Sequence, residues 1–370
     1  MKTMTVSEHI KGRFKRLDIY LIRKFLGTFF YCMILIMAIV VVFDFNEKLD
    51  KFIQNRASTG AVLFDYYLNF IPYFGVRFSP LFIFISVIFF TSKMASNSEI
   101  IAILASGVSF KRYMRPYMIS AGILAVGMFL LNSFWIPNAN KDRLEFEDQY
   151  IKKVKTDYVR NVQMEIDPGT IMYIERYDAN NQNGYNFFLE TYDDQQLVSR
   201  LTARRIQQDT ANHWILKDYL IRTFDGLYEN IHEGTTLDTI IKVNPEEFFI
   251  VKGYSEQLTT PELKQYLDRQ KSRGVANIKE YNVEYQRRFS FPFSCFILTL
   301  IGMSLASRKV RGGMGLHLGI GLLISFTYIL LDTISGSFAQ GGVMTPFLAV
   351  WFPNVLYFLI GLFLYVRAPK

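Results

Sequence analysis

The chain has 370 residues, of which 50% are hydrophobic and 20% are charged, and it contains 34 Phe and 22 Tyr. This composition excludes both an average soluble protein and a chain that lies wholly within a membrane. The formal net charge of +8 suits a nucleic-acid or a membrane-surface protein, and the positions of the cations favour a membrane over nucleic acid.

Six apolar, uncharged runs predict six transmembrane helices. The second run reaches spanning length only when Arg77 and the apolar residues before it are included. Within the fifth run, Gly315 and Gly319 lie four residues apart, a spacing that favours close helix packing in lipid. The runs are residues 25–43, 78–92, 116–140, 289–307, 312–331 and 333–366.

Three features of the first transmembrane half can be predicted from its residue patterns. Residues 9–24 carry apolar positions at helical spacing among basic ones, which predicts an amphipathic helix on the membrane surface. The first apolar run is too long for a signal-peptide core and lacks a small-residue cleavage site, so we expect a retained anchor. Residues 97–106 predict a short helix, and Ser96 and Glu99 have the spacing of a capping box.

Residues 141–258 have the composition of a soluble all-β domain. Six runs rich in β-branched and aromatic residues, partly alternating with polar ones, are separated by turn signals such as Asp-Pro-Gly and Phe-Asp-Gly. Several short strands without helical patterns between them predict a β-sandwich or a jelly roll.

A connecting helix is predicted over residues 259–280. Thr260 suits its cap, Pro261 its first position and Gly274 its end. The predicted organisation is a first transmembrane half (1–140), the β domain (141–258), the connecting helix (259–280) and a second transmembrane half (281–370).

The basic residues predict the orientation of this layout. With six spans, four basic segments fall on one face of the membrane, and the positive-inside rule makes that face cytoplasmic. Both termini are then cytoplasmic, and the β domain, which follows three spans, is extracytoplasmic. The four segments carry Lys11, Arg13, Lys15, Arg16, Arg23 and Lys24; Lys93, Lys111, Arg112 and Arg115; Arg308, Lys309 and Arg311; and Arg367 and Lys370.

Three arginines lie where this rule does not require them. Arg287 and Arg288 precede the fourth span at its outer end, and Arg77 is expected near the same depth in the second span. A charge in or near a span is costly and usually faces a polar partner. A phosphate-bearing head group would be such a partner, because guanidinium binds phosphate through two hydrogen bonds. Alternatively, these arginines reach ordinary head groups or pair with Asp332 or Glu284.

Several patterns, taken in order along the whole chain, resemble the LptF/LptG family of lipopolysaccharide-export permeases. The resemblance implies a helical membrane protein of the bacterial inner membrane, with six transmembrane helices and an inserted periplasmic jelly roll. The patterns are SEIIAILASGVSFKRYMRP, GTIMYIERYD, TTPELKQYLDRQKSRG, EYQRRFSFPFSCFILTLIGMSLASRKVRGG and GLHLGIGLLISFTYILLDTISGSFAQGGVMTPFLAVWFPNVLYFLIGLFLYVR.

The resemblance also implies partners. A second permease of the family would form a heterodimer with this chain, a cytoplasmic ABC ATPase dimer would use ATP and Mg, and a periplasmic jelly-roll protein would continue a bridge for lipopolysaccharide. The sequence agrees that the ATPase is a separate chain, because the Gly-Lys-Ser/Thr of a P-loop does not occur. The histidines and cysteines lack metal-ligand spacing and no nucleophile–base set is recognisable, so we expect no bound cofactor, no metal and no catalytic residue.

The resemblance assigns roles to the short helix of residues 97–106. In the family, the acidic residue matching Glu99 belongs to a coupling helix that docks in a groove of the ATPase. Ser98 and Gly107, at the two ends of this helix, are assigned with Glu99 to ATPase coupling. Spacing alone leaves coupling and helix capping equally open for Glu99.

Family members also tend to carry basic residues at the outer end of the first helix. Here three acidic residues, Asp44, Glu47 and Asp50, offset Lys48 and Lys51. We therefore assign substrate binding to Arg77, Arg287 and Arg288 instead.

The predicted function is a permease subunit that extracts lipopolysaccharide from the inner membrane. A mechanotransmitting ABC subunit, which drives periplasmic partners without itself moving lipid, is the alternative, and a membrane-bound sensor without an ATPase is a third. Lipid that co-purifies would separate the first two. Replacement of Glu99 without effect on complex formation or lipid release would favour the third.

Overall fold

The computed structural model of the chain describes residues 16–151, 158–193, 196–210, 212–226, 228–243, 245–248, 254–272, 278–307 and 313–368. The chain divides into two compact units. One comprises residues 1–151 and 282–370, and the other comprises residues 152–281. Residues 9–15 of the predicted amphipathic helix lie outside the described residues, as do Gly274, Arg308, Lys309 and Arg311, and residues 16–24 form the start of the first long helix.

Eleven helices of seven residues or more are described. A short turn (Thr59–Ala61) and a π-helix (Val62–Tyr67) lead into the second of them, and π-helical turns follow the fifth (Leu131–Trp135) and the sixth (Glu147–Ile151). The helices are α1 (Arg16–Gln54), α2 (Leu68–Arg77), α3 (Ser79–Ser96), α4 (Glu99–Ala105), α5 (Phe110–Leu130), α6 (Ile136–Phe146), α7 (Thr260–Ser272), α8 (Lys279–Ser290), α9 (Phe293–Ala306), α10 (Gly313–Gln340) and α11 (Pro346–Val366).

The prediction of a multi-span helical protein is confirmed. Among the described residues, five helical stretches are long and apolar enough to cross a membrane, and a bent pair of helices makes a sixth. The five stretches are α1, α3, α5 with its continuation to Ile151, α10 from Gly315, and α11.

The fourth predicted span is broken. Helices α8 and α9 meet at an angle of 50°, with Phe291 and Pro292 between them. Proline has no amide hydrogen to donate and disfavours helical geometry in the residue before it. The Ser290 carbonyl at this break accepts a hydrogen bond of 2.8 Å from the Asn354 side chain instead. The uncharged run of residues 289–307 is therefore not one continuous helix.

The boundary between the last two spans also differs from the prediction. The sequence prediction placed this boundary at Asp332, the charged residue between two uncharged runs. In the structure, α10 continues through Asp332 to Gln340. Arg287 lies 3.3 Å from the Asp332 carboxylate, which makes an acidic residue tolerable inside the helix. The chain turns at Gly341 and Gly342 instead, and Gly342 has a φ of 82°, which favours glycine.

Glycines bring α3 close to its neighbours. A Cβ atom on Gly302 of α9 would lie 3.0 Å from a side chain of α3, and one on Gly321 of α10 would overlap Ile88. Gly315 and Gly319, by contrast, have no described atom within 4 Å of the position of a Cβ. Against the described residues of this chain, the predicted packing role for those two glycines is wrong. Residues 319 and 321 are about 200° apart around a helix, so only the second faces α3.

The inserted unit is an antiparallel β-sheet, which confirms the predicted all-β domain. All six predicted runs are strands, and the last strand begins earlier than its predicted run. The strands are β1 (Tyr158–Asp167), β2 (Thr170–Asp178), β3 (Asn183–Asp193), β4 (Gln196–Thr210), β5 (His213–Asp225) and β6 (Tyr228–Ile240).

The sheet has the topology of a meander. Its strand order is β1-β2-β3-β4-β5-β6, so every described pairing joins neighbours in the sequence. A jelly roll, as predicted, would also pair strands from distant parts of the chain in two sheets. Tight turns such as Pro168-Gly169, in which Gly169 has a φ of 78°, hold consecutive strands together and account for this difference.

One side of the sheet holds the core of the β-rich unit. Met172, Ile174, Trp214 and Leu216 are fully buried, at alternate positions on β2 and β5, as the period of a strand requires. The Trp214 indole donates a hydrogen bond of 3.2 Å to the Ile241 carbonyl. The edge strand β6 is mostly exposed.

Helix α7 lies within residues 259–280, the predicted connecting helix, but its cap differs from the predicted one. The Glu262 carboxylate accepts hydrogen bonds from the Thr259 amide, at 2.8 Å, and from its hydroxyl, at 2.7 Å. Thr259, one residue before the predicted Thr260, is therefore at the cap position, where the Glu262 carboxylate binds its backbone amide as in one half of a capping box.

Candidate functional site

An apolar cavity lies between α1, α2 and α5. Its volume is about 440 Å³, within the range of about 300–1,000 Å³ that ligand sites occupy. Aliphatic, aromatic, methionine, proline and glycine residues form its whole described wall. Such a cavity suits hydrocarbon, because water needs polar partners that this wall lacks. Among the residues that line it are Phe30, Met33, Ile71, Val76, Gly127 and Met128.

Arg77 immediately follows the cavity residue Val76, at the end of α2. Its side chain is half-buried. Within the described part of the chain, the Arg77 guanidinium forms no hydrogen bond and no ion pair. The Arg77 guanidinium therefore lies beside an apolar cavity, and no described residue accepts a hydrogen bond from it.

Arg287 and Arg288 are both engaged by acidic residues. The Arg287 Nε lies 3.3 Å from the Asp332 Oδ2, but it is not aligned as a hydrogen bond, so the contact is ionic. The Arg288 Nε donates to the Glu284 Oε1 at 3.2 Å, and Arg288 is only 1% exposed. These are the two acidic partners that the sequence analysis named as alternatives to a phosphate.

A polar cluster near the C-terminal end of α1 adds two tyrosines, missed by the sequence analysis, to the Asp44 and Lys48 charges that it had noted. The Lys48 ammonium lies 2.6 Å from the Asp44 carboxylate and also contacts the Tyr66 hydroxyl. The Tyr66 and Tyr67 hydroxyls donate to Asp44 at 3.0 and 3.2 Å. Burial, reinforced by the Asp44 carboxylate, raises the pKa of both phenols, so they remain donors at neutral pH.

This cluster explains why Lys48 is a poor candidate for binding phosphate. Its charge is already balanced by Asp44, and its ammonium lies over the Tyr66 ring, 4.9 Å from the centroid. The spacing of Asp44 and Lys48, four residues apart in a helix, was the available sequence signal for their pairing. The contribution of Tyr66 and Tyr67 depends on tertiary contact.

Helix α4 spans Glu99–Ala105, within the predicted residues 97–106. It is flanked by Ser98, with a φ of 63°, and Gly107, with a φ of 86°, so both ends are sharp turns. The exposed Ile101 leaves part of this helix open to a partner.

The capping alternative for Glu99 is wrong. Ser96 ends α3 rather than beginning α4, and Ser98 caps α4 without a side-chain hydrogen bond. The Glu99 carboxylate instead accepts hydrogen bonds from the side-chain amide of Asn97 at 3.3 Å and from the Tyr20 hydroxyl at 3.5 Å. The left-handed turn at Ser98 displaces Ser96 from the cap position, which explains why the spacing was misleading.

Comparison with known proteins supports the family resemblance that the sequence indicated. The family model described as lipopolysaccharide export system permease LptF/LptG matches residues 19–367. No curated protein matches the sequence. The matched range covers both transmembrane halves and the inserted β-rich unit between them. The chain therefore belongs to the LptF/LptG family of lipopolysaccharide export permeases.

Proposed function

We propose that this chain is a permease subunit of an ABC transporter that extracts lipopolysaccharide from the inner membrane. The observation that carries this proposal is the apolar cavity between α1, α2 and α5. An acyl chain leaving the bilayer needs an apolar wall, because exposure of hydrocarbon to water costs about 0.8 kcal/mol per CH₂. The cavity would provide part of that wall, and a second permease of the family would complete it as a heterodimer.

The head group would be bound by arginine. Arg77 is the best supported of the three candidates, because it adjoins the cavity wall and has no ion pair among the described residues. Arg287 and Arg288 would have to exchange Asp332 and Glu284 for phosphate. A phosphate group carries enough charge and acceptor oxygens to compete for guanidinium.

Helix α4 would couple the permease to a cytoplasmic ABC ATPase dimer that binds ATP and Mg. The Glu99 carboxylate has no backbone capping role among the described contacts, so it would supply an acidic contact for an ATPase groove. Ile101, which is 56% exposed on another face of the helix, would supply an apolar one. Ser98 and Gly107 would hold the ends of α4 through their left-handed conformations.

The orientation follows from the positive-inside rule. Lys93, Lys111 and Arg115, close to α4, would lie in the cytoplasm with both termini, and the β-rich unit would be periplasmic. Its edge strand β6 exposes Tyr228 and Ile231, at 80% and 62%. An exposed edge can pair with a further sheet, so the β-rich unit would join a periplasmic jelly-roll protein and pass lipopolysaccharide to it.

The test is purification of the tagged chain from its native membrane, followed by mass spectrometry of all co-eluting chains and lipids. We expect a second permease, an ATPase and lipopolysaccharide. The same complex in proteoliposomes should release lipopolysaccharide when ATP is added. A complex that contains the ATPase but neither retains nor releases lipopolysaccharide would refute the proposal in favour of the mechanotransmitting alternative.

A further inference from the structure

A bidentate ion pair joins two of the helices that line the apolar cavity. Arg112, in the first turn of α5, donates from Nη1 and Nη2 to the two carboxylate oxygens of Asp18 in α1, both at 2.7 Å. Asp18 is 3% exposed. Paired hydrogen bonds between charged groups are strong and fix the relative orientation of their carriers. The pair therefore sets how α1 and α5 sit at this end of the bundle.

Further contacts tie the same end of α1 to α4 and α3. The Tyr20 hydroxyl, two residues beyond Asp18, lies 3.5 Å from the Glu99 carboxylate of α4. The Phe25 ring of α1 packs on Phe90 of α3, with centroids 5.9 Å apart. The Tyr20–Glu99 contact joins α1 to α4 directly, and the Phe25–Phe90 contact joins α1 to α3, which α4 follows in the chain.

The cavity lies further along the same two helices. From α1 it is lined by residues such as Phe30 and Met33, and from α5 by residues such as Ile123 and Gly127. A shift of α4 moves the start of α5 directly, because only residues 106–109 separate them. Helix α1 also packs on α5 through the Phe25 and Tyr117 rings, whose centroids are 6.3 Å apart, but the Asp18–Arg112 pair is a directional, charged contact between the two helices. With the pair intact we expect the two walls to move together, and without it only apolar packing would link them.

We propose that Asp18 and Arg112 are positioning residues that transmit movement of α4 to α1 and thereby set the width of the apolar cavity. This inference rests on the proposed function, in which an ATPase moves α4. Neither residue has to touch lipid or nucleotide. Their role is to convert ATP hydrolysis into a coordinated movement of the two cavity walls. Without them ATP hydrolysis should continue, but less lipid should be released per ATP hydrolysed.

The test uses the complete transporter complex in proteoliposomes and measures lipopolysaccharide released per ATP hydrolysed. Asp18→Asn removes the charge, and Arg112→Lys keeps the charge but removes the bidentate geometry. A combined Asp18→Arg and Arg112→Asp exchange restores a pair. Glu147→Gln is the matched control, because it breaks a comparably buried ion pair with Arg143, at 2.5 Å, that joins residues only four apart.

We expect both single variants to assemble and hydrolyse ATP at the basal rate, while lipid released per ATP falls about fivefold or more, the lower end of typical coupling between sites. The exchange variant should recover most of the loss, and Glu147→Gln should retain the wild-type ratio. A wild-type ratio in Asp18→Asn, or an equal loss in Glu147→Gln, would overturn the inference. A purely structural role would lower thermal stability and assembly together with the ratio.

A distance measurement separates this inference from the proposed function. Spin labels on cysteines introduced at Ile34 and Ile123, both exposed cavity residues, with Cys32 replaced by alanine, report the distance between α1 and α5. ATP should leave this distance unchanged in the otherwise wild-type complex, because the two walls move together, and should change it in Asp18→Asn, where α5 moves without α1. If the wild-type complex releases no lipid but this difference is seen, the proposed function fails and the inference stands. Equal changes in both complexes, a change in wild type alone, or no change in either, would refute the inference.

Discussion

Replacement of Gly127 by leucine is expected to fill part of the apolar cavity and to weaken binding of acyl chains. A Cβ at Gly127 would meet no atom within 4 Å, so leucine can enter the cavity without displacing its wall. If its side chain displaces about four acyl carbons, the loss is about 3 kcal/mol at the usual value per buried CH₂. This free energy corresponds to roughly a hundredfold in affinity. Helix α5 should still form, because leucine favours helices more than glycine does.

The assay is the amount of lipopolysaccharide that co-purifies with the complex, together with its ATP-dependent release from proteoliposomes. Gly27→Leu provides the control. Gly27 lies in α1, has no atom within 4 Å of a Cβ position and does not line the cavity, so the same change there should leave bound lipid unaltered. If Gly127→Leu retained wild-type lipid content and release, the cavity would not be the acyl-chain site, and the physical basis of the proposed function would be lost.

Three further predictions concern contacts that the structure assigns. Ser96→Ala should change the free energy of unfolding in detergent by less than about 0.5 kcal/mol, whereas a loss near 1 kcal/mol, as for a true helix cap, would contradict the assigned contacts of Glu99. Asp332→Asn removes the Asp332 carboxylate from the mostly buried Arg287 and should lower the free energy of unfolding by about 3 kcal/mol. If Arg287 also binds head-group phosphate, lipopolysaccharide should restore the melting temperature more than its dephosphorylated form does, and equal restoration would exclude that role. Gly107→Ala should cost about 1–2 kcal/mol because its φ is 86°, and Gly127→Ala, at a helical glycine with equally open surroundings, should cost nothing in the same unfolding assay.

Apolar runs and strand periodicity located the main elements of the fold correctly. A span needs hydrocarbon-compatible residues along its whole length, and a strand needs side chains that alternate between two faces, so both leave their signature in consecutive residues. The strand beginning at His213 shows this, since its buried Trp214 and Leu216 alternate with more exposed neighbours. A helix in the connecting segment was also predicted from the sequence, and its capping residue lies one position earlier than the predicted one.

Element boundaries were less predictable where a charge or a proline had a tertiary partner. Asp332 looked like the end of a span, and α10 passes through it because Arg287, far away in the sequence, balances its charge. The break at Pro292 is accommodated because Asn354 supplies a hydrogen bond to the freed Ser290 carbonyl. Neither partner could be identified from local pattern.

The candidate site shows the same division. Arg77, Arg287 and Arg288 were identified as unusual cations from the sequence, but their different surroundings were not. Arg287 and Arg288 contact acidic residues, while Arg77 adjoins an apolar cavity. The cavity itself is formed by three helices from separate parts of the first transmembrane half, so no single stretch of sequence carries its signature.

The sequence by itself determined that this chain is a multi-span membrane protein with a β-rich insert, and it was sufficient to indicate the family. Only the tertiary structure decided which charges are paired, where the fourth span breaks, and that Asp18 and Arg112 hold two cavity walls together. The physical reason is distance along the chain. Hydrophobicity and backbone periodicity are properties of neighbouring residues, whereas an ion pair or a cavity wall joins side chains that are dozens of residues apart and become neighbours only when the helices pack.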